Sequence, residues 1–517
     1  MRTAEEELQE QRVRAEEEAR PEESSDTNSE ISVPQANVDS VLQIWSEVLA
    51  RGNLEPGVSF FEQGGTSLAA LSVLSRYYNH KWEMSLQEFY EHPTVAEQLN
   101  ILNPNWKSQK NSENNQESGN SQEPENNREP RIKEPVQNEV VKETNQREKH
   151  RPHRLGRVLL TGATGFMGAH LLHALIDAGA GTVLCLMRDG SRERLMERLS
   201  WYFGAGWLQS VAARIKVIAG DISRQELGLS HMNYIDLVGR LDAIYNSAAD
   251  VRHYASDAEE YTATNVTGVE HIIELAERSG AILHHMSTCS VSAEQLVGRE
   301  GPAVFTEHDF DIGQDWQSNL YVKTKFLAEA RVFDAIERGV DARIYRLGRL
   351  VGRCSDGTFQ VNPDSNAFYL LMKGIAVLGA FPDTMADHLT DLTPVDYSAD
   401  AILALERSQE RVFHILSPRQ TRMEEIIRAV LPDTRFLPEP EFEMRLSQRL
   451  SKGYHAELMP LADFWNHIKT APPVIEVTAE YTWQLLEKLG FQREIPGPKR
   501  LLKNFLFAAW KDEGESH

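Results

Sequence analysis

From residue 154 onward, short apolar runs take turns with longer segments of helical period, and this alternation constrains the fold more than any other feature of the chain. RVLLTG, TVLCLM, RIKVIAG, LDAIYNSA, ILHHMST and ARIYRLG read as strands, and segments such as FMGAHLLHALIDAG and NVTGVEHIIELAERSG between them read as helices. A parallel strand pair needs a crossover long enough to hold a helix, so the pattern predicts a parallel sheet covered on both faces. The expected fold class is α/β, a Rossmann-type doubly wound parallel sheet. The alternation loosens after about residue 355. The sheet core is therefore expected over about 154–355 and 391–417, and a cap from the remainder of 154–517.

The chain before residue 154 is different in kind. In VDSVLQIWSEVL, Val38, Val41, Leu42, Trp45, Val48 and Leu49 recur with a helical period. A loop with Pro56, Gly57, Gly64 and Gly65 follows, then SLAALSVLSRYYN and PTVAEQLNIL, so residues 37–102 read as a small all-α bundle. Residues 1–36 are rich in Glu, Arg and Ser and read as a disordered tail. Residues 103–153 are Asn, Gln, Glu, Ser, Lys and Pro with few apolar positions, a flexible linker whose ends would sit on the order of 40 Å apart. Such a tether keeps two domains at high effective concentration without fixing their geometry.

Charge and cysteine usage narrow the function classes. Lys plus Arg is 54 against 77 Asp plus Glu, a net charge of −23, which disfavours a nucleic-acid partner because phosphate binding needs a basic surface. Cys185, Cys289 and Cys354 form no CxxC pair, so neither a disulfide framework nor a metal site is expected, and a reducing cytoplasm suits the chain. The N-terminus MRTAEEELQEQ has no apolar core, and the apolar stretch Phe368 to Phe381 is broken by Lys373 and too short to span a bilayer, so no membrane association is expected.

In FFEQGGTSLAAL, Ser67 follows a glycine loop and opens a helix. Taken alone, that is how a helix N-cap looks. The whole segment, with its first helix, its FFEQGG loop, its Ser-led helix and its EHPTVAEQL tail, resembles the peptidyl carrier domains of nonribosomal peptide synthetases. The resemblance implies that a phosphopantetheinyl transferase attaches 4′-phosphopantetheine to Ser67 and that the arm carries the substrate as a thioester. Thr66 stands where that family usually has His, Asp or Asn.

LLTGATGFMG places Gly162, Gly165 and Gly168 between a strand and a helix, with Thr164, Phe166 and Met167 completing the turn. Glycines permit the tight turn and the close approach of a pyrophosphate to a helix N-terminus, so these residues are candidates for dinucleotide binding. Cofactor choice is read at the end of the second strand. A carboxylate there favours NAD, but TVLCLM ends at Met187 and is followed by Arg188, a guanidinium suited to the 2′-phosphate of NADPH. Asp189 comes next, and Arg198 on the following helix is a second candidate.

SNLYVKTKFLAEA sets Tyr321 and Lys325 on one helix face, and HHMSTCSVS ends a strand with Ser287, Thr288 and Ser290. With the glycine motif, these elements resemble the extended short-chain dehydrogenase/reductases, nearest to the terminal thioester reductases of peptide synthetases and carboxylic acid reductases. GDIS, NSAADVRHY, NVTGVEHIIELA, YRLGRLVGRCSDGTF and DLTPVDYSADAI belong to the same resemblance. It implies that Asp221 and Ile222 flank the adenine and that Ala248 and Asn265 line the cofactor cleft. Leu347 stands where that family usually has Pro, and Ser292 and Ala293 replace a common Tyr-Gly.

The implied chemistry follows from charge. Hydride addition to a thioester carbonyl puts negative charge on oxygen; Tyr321 can donate a proton, Lys325 can favour the phenolate, and Thr288 can hydrogen-bond the oxyanion. Cys289, His284 and His285 read as packing residues. No adenylation or condensation domain fits beside these segments in 517 residues, so an adenylation enzyme or synthetase module would load the carrier in trans. Two other readings compete: a sugar-nucleotide epimerase or dehydratase, which shares the glycine motif and Tyr-x-x-x-Lys, and a non-catalytic nucleotide-binding scaffold.

Overall fold

The computed structural model describes residues 36–103, apart from 50, 53, 64–69 and several positions between 71 and 85, and residues 155–505, apart from 252–257, 300, 318, 452–455 and 471–473. The expected tail and linker fall almost wholly outside the described residues, as does Ser67.

Six apolar runs become strands where the alternation places them: β1 Arg157–Thr161, β2 Thr182–Met187, β3 Ile215–Ala219, β4 Ala243–Asn246, β5 Ile282–Thr288 and β6 Ala342–Leu347. A seventh, β7 Val412–Ile415, comes from the irregular C-terminal portion. All pair in parallel in the order β7-β6-β5-β4-β1-β2-β3. The order reverses beside β1, the place where such sheets open a ligand crevice at their strand C-termini.

Both faces are covered, which is why the strands read as near-continuous apolar runs. On one face lie helix α4 (Phe166–Asp177) and helix α9 (Val395–Leu405), contributing Leu171, Leu175, Tyr397 and Ile402 to the core. On the other lie helix α6 (Gly268–Ser279) and helix α7 (Leu320–Glu337), contributing Ile272, Leu275, Ala328 and Val332. Helix α5 (Arg192–Phe203) links β2 to β3.

Between β6 and β7 the chain adds helix α8 (Ala367–Leu378), which forms a second core with Phe442, Leu461, Trp465 and Phe505. The apolar stretch that begins at Phe368 is thus the interior of the cap: Phe368, Tyr369, Met372 and Ile375 are all buried in it. Asn366 caps the helix by accepting from the Tyr369 N–H at 3.0 Å, and Gly379 ends it in the left-handed conformation. Helix α10 (Glu480–Lys488) closes over the β7 edge, where Thr482 accepts from the His414 N–H at 3.0 Å. Among the described residues no helix is long and apolar enough to cross a membrane.

The N-terminal segment contains helix α1 (Val38–Leu49), helix α2 (Leu86–Glu91) and helix α3 (Val95–Leu102), the last opened by a capping box between Thr94 and Glu97. Its core holds Val41, Trp45, Phe60, Tyr77 and Phe89, all fully buried. Burial obliges the polar tips to pair: Trp45 Nε1 donates to the Tyr77 hydroxyl at 3.0 Å, which donates to Gln98 Oε1 at 2.6 Å. Tyr77→Phe removes the link and strands both neighbours. It should cost about 1–3 kcal/mol and lower the transition of the N-terminal segment in a thermal scan of the full chain while that of the sheet domain stays in place.

Candidate active site and cofactor cleft

The turn after β1 is built from close backbone contacts. Gly162 has φ +71°, and a Cβ there would stand 2.6 Å from the Ser247 carbonyl oxygen. A Cβ on Gly168 would run into the Gly162 carbonyl, so α4 lies against the turn only because position 168 carries no side chain. Helix α4 starts behind Gly165 with no side chain capping its first N–H groups, which leaves them, and the positive end of the helix, for an anion. Thr164 is half-buried in the turn. Phe166 packs its ring against His170 and Phe359, and Met167 is buried in the core, so their backbones rather than their side chains face the crevice.

At the end of β2, Arg188 is exposed. Asp189 is occupied elsewhere: it accepts from the Ser191 N–H at 3.2 Å and pairs with Arg194 at 3.0 Å. Both partners of Asp189 lie within five residues of it, at the start of α5. Arg198 lies almost two turns into α5, hydrogen-bonded to the Tyr202 hydroxyl.

Asp221 accepts from the Ser223 N–H at 3.0 Å and hydroxyl at 2.8 Å, holding the turn after β3. Ile222 is buried against Gly268, where a Cβ would come within 2.9 Å of it. The Ala248 N–H donates to Thr161 Oγ1 at 3.0 Å. Asn265 sits in a π-turn at Ala263–Thr267 ahead of α6 and clasps the Asp250 backbone, accepting from its N–H at 2.7 Å and donating to its carbonyl at 2.9 Å. Such π-turns inside helices recur at functional sites.

The catalytic candidates meet at the end of β5. Thr288 caps the turn Cys289–Ser292, accepting from the Ser290 N–H at 3.1 Å, and is hydrogen-bonded to the Tyr321 hydroxyl. One turn along α7, buried Lys325 donates from Nζ to the Met286 carbonyl at 2.9 Å. Burial lowers the Lys325 ammonium to about 8, with Glu329 acting against it. Burial also raises the Tyr321 phenol, and the bond to Thr288 is what opposes that rise. The sequence reading gives Lys325 the task of favouring the phenolate; in the structure its ammonium is turned to the Met286 carbonyl.

Beside Lys325, the buried Ser287 Oγ and His285 Nε2 have no hydrogen-bond partner among the described residues. His285 is held neutral by burial, and its Nδ1 meets Asn246 Nδ2 at 3.3 Å. Uncapped N–H groups at α4, a glycine cradle, an exposed cation after β2 and unpaired polar atoms beside Lys325 together fit a dinucleotide phosphate at one end and a polar ribose–nicotinamide portion at the other.

The remaining candidates pack as the sequence suggests. Cys289 Sγ points to the Arg346 carbonyl at 3.3 Å, and burial raises its thiol well above the ordinary range. His284 Nδ1 lies 2.9 Å from the Tyr345 hydroxyl, with its ring stacked on Tyr245. No cluster of metal-ligating side chains is found among the described residues. The Ala293 departure has a structural consequence: it adopts φ 50°, ψ −163°, a conformation open to Gly but strained for a side chain. Sequence reasoning did not single out Glu329 or Arg346, which form a fully buried pair beneath the site. The only signal was spacing, since Glu329 follows Lys325 by one helical step.

Strain and charge at the site each generate a measurable outcome. Ala293→Gly relieves the strain and should raise stability by roughly 0.5–2 kcal/mol net of glycine's entropy, read by denaturant unfolding. Lys325 is cationic below about 8 and loses its proton above it. The kcat/KM profile should therefore fall on an alkaline limb near that pH, and the limb should move upward in Lys325→Arg, whose guanidinium stays charged.

Comparison with known proteins agrees segment by segment. Residues 39–102 match the phosphopantetheine attachment site family, and residues 160–402 match the NAD-binding family described as male sterility protein. A linear gramicidin synthase of Brevibacillus parabrevis is 29% identical over 416 residues, which is 78% of this chain and 8% of that protein. The glycine betaine reductase of Emericella nidulans is 32% identical over 277 residues, 50% of this chain and 21% of that protein. This chain thus spans a small part of the curated relatives it matches. Among solved structures, a thiolation-reductase di-domain from an archaeal nonribosomal peptide synthetase superposes with a TM-score of 0.71 at 27% identity, covering 91% of this chain and 97% of that one.

Proposed function

We propose that this chain, a carrier–reductase didomain of the nonribosomal peptide synthetase type, releases an acyl or peptidyl thioester from a phosphopantetheine arm on Ser67 by NADPH-dependent reduction. The observation that carries the reading is the meeting of Thr288, Tyr321 and Lys325 at the end of β5, in a chain that also holds a phosphopantetheine attachment domain. A sugar-nucleotide epimerase would leave residues 39–102 without a role.

On this reading the glycine turn and the start of α4 bind the pyrophosphate, Arg188 reads the 2′-phosphate, and Ser287, Lys325 and Asn265 border the nicotinamide end. NADPH supplies a hydride when bound. The chain's own residues do the rest. Thr288 and the Tyr321 hydroxyl hydrogen-bond the thioester oxygen as charge grows on it, and Tyr321 gives that oxygen its proton. The thiohemiacetal then collapses, the C–S bond breaks, the arm leaves as a thiol, and an aldehyde is released; a second reduction would give an alcohol.

Loading calls for a phosphopantetheinyl transferase and an adenylation enzyme or synthetase module. The proposed reaction calls for no metal, nucleic acid or membrane, and a cytoplasmic setting suits the free cysteines.

The test is to load the protein with an acyl-pantetheine group and follow it by intact-protein mass spectrometry with and without NADPH. The acyl mass should appear on the wild type, be absent from Ser67→Ala, and leave as aldehyde or alcohol only when NADPH is added. A loaded carrier that never discharges with any of several acyl groups would sink the proposal. For cofactor choice, Arg188→Ala should raise the KM for NADPH by about 10–100-fold through loss of a charge-assisted phosphate contact and leave the KM for NADH nearly unchanged.

A further inference from the structure

Tyr321, Lys325 and Glu329 recur every four residues on the inner face of α7. The first two reach the reacting end of β5; the third does not. Glu329 and Arg346 are both fully buried and make a forked pair, with Arg346 Nε donating to Glu329 Oε2 at 3.0 Å and Nη2 donating to the same oxygen at 2.8 Å. Arg346 belongs to β6, and its neighbour Leu347 pairs in register with Thr288. Its Nη1 also donates to the Asp309 carbonyl at 2.8 Å, and its guanidinium lies over the Phe305 ring at 4.8 Å. The residues so anchored, Phe305 and Asp309, precede α7, where Asn319 caps the helix by accepting from the Val322 N–H at 3.1 Å. Phe310 and Trp316 both stack on Phe326, at 4.3 and 4.5 Å, one residue beyond Lys325.

One guanidinium therefore ties together the helix that carries Tyr321 and Lys325, the strand beside Thr288, and the residues Phe305 and Asp309 that precede the helix. A helix packed only by apolar side chains can rotate or slide by fractions of an ångström at little cost. A forked ion pair two turns below the reacting hydroxyl, with no exposed surface, resists both motions.

We infer that Glu329 and Arg346 are positioning residues for the proposed thioester reduction, holding α7 so that the Tyr321 hydroxyl meets Thr288 while the Lys325 ammonium meets the Met286 carbonyl. The inference rests on the proposed function for its substrate. Its geometry concerns hydride transfer to any carbonyl at the site. Among the described residues, the titratable and charged groups that act on Lys325 or are acted on by it are Glu329 on its own helix and His285 on β5, which burial keeps neutral, while Cys289 in the turn after β5 acts on Tyr321. Arg346 lies beyond Glu329.

The test uses the full chain with Glu329→Gln, Arg346→Lys and the apolar double variant E329L/R346M. NADPH consumption is measured with an acyl-pantetheine thioester and, separately, with the matching aldehyde. Each variant should lose kcat by about 10²-fold, as expected for displaced reacting groups, with KM for both substrates within about threefold of wild type. In Glu329→Gln the uncompensated Arg346 charge should move the alkaline limb down by about one pH unit.

Single variants leave a charge buried without its partner and can fail to fold. The double variant removes both charges and should keep the wild-type melting temperature and NADPH affinity. If the folded double variant retains kcat within about twofold of wild type, the pair is structural and the inference falls. A wild type that reduces the aldehyde but not the thioester would overturn the proposed function, and the same variants would still decide the positioning role on the aldehyde.

Discussion

The parallel register of β5 between β4 and β6 is the constraint on which the site depends. Pairing Asn246 with His285 and Leu347 with Thr288 decides which face of β5 each side chain takes and where the strand stops. A slip of one residue would exchange the faces. His285 and Ser287 would turn away from α7, and the carbonyl that receives Lys325 would no longer be that of Met286. Because β5 is buried on both faces, its apolar pattern alone does not specify that register. The polar contacts of its neighbours contribute: Asn246 lies between Thr161 Oγ1 at 2.7 Å and the His285 ring at 3.3 Å, joining β1, β4 and β5 by side chains as well as by the backbone ladder.

The sheet and its glycine turn were legible because their physics is local. A strand, a turn of φ +71° and a helix that must approach closely demand particular residue types in sequence order. Tyr321 and Lys325 were legible for the same reason, since one helical step puts them on one face. Glu329 and Arg346 were not. A glutamate in a helix and an arginine in a strand ordinarily read as solvated, and only the topology that stacks α7 on β6 reveals them as partners with no exposed surface. The Trp45–Tyr77–Gln98 chain was hidden in the same way, because its members are 32 and 21 residues apart.

Two residues show where a pattern can be right in kind and incomplete in detail. Ala293 stands where a glycine is common, and the structure supplies the reason glycine suits the position, a backbone that an L side chain enters under strain. Asp189, immediately after Arg188, stands in the sequence as a caution against a choice between cofactors on Arg188 alone. It pairs with Arg194 at the start of α5 and accepts from the Ser191 N–H, while Arg188 beside it is exposed. In both cases the detail is a bond or a dihedral angle set by near neighbours in sequence, finer than motif spacing can reach.

The protonation states at the site bear on the direction of the reaction. A dehydrogenase removes a proton from an alcohol and is served by a phenolate; a reductase must deliver a proton to an oxygen that is becoming negative. Burial raises the Tyr321 phenol, so at neutral pH it carries the proton that reduction consumes. The same burial lowers Lys325 only to about 8, so its ammonium remains charged at that pH while it donates to the Met286 carbonyl. Glu329 acts against that lowering and is itself paired with Arg346 at 2.8 Å. Desolvation thus keeps the donor protonated before the transfer, and the hydrogen bond with Thr288 is what opposes that preference, so the proton is held at the hydroxyl that would deliver it to a carbonyl oxygen.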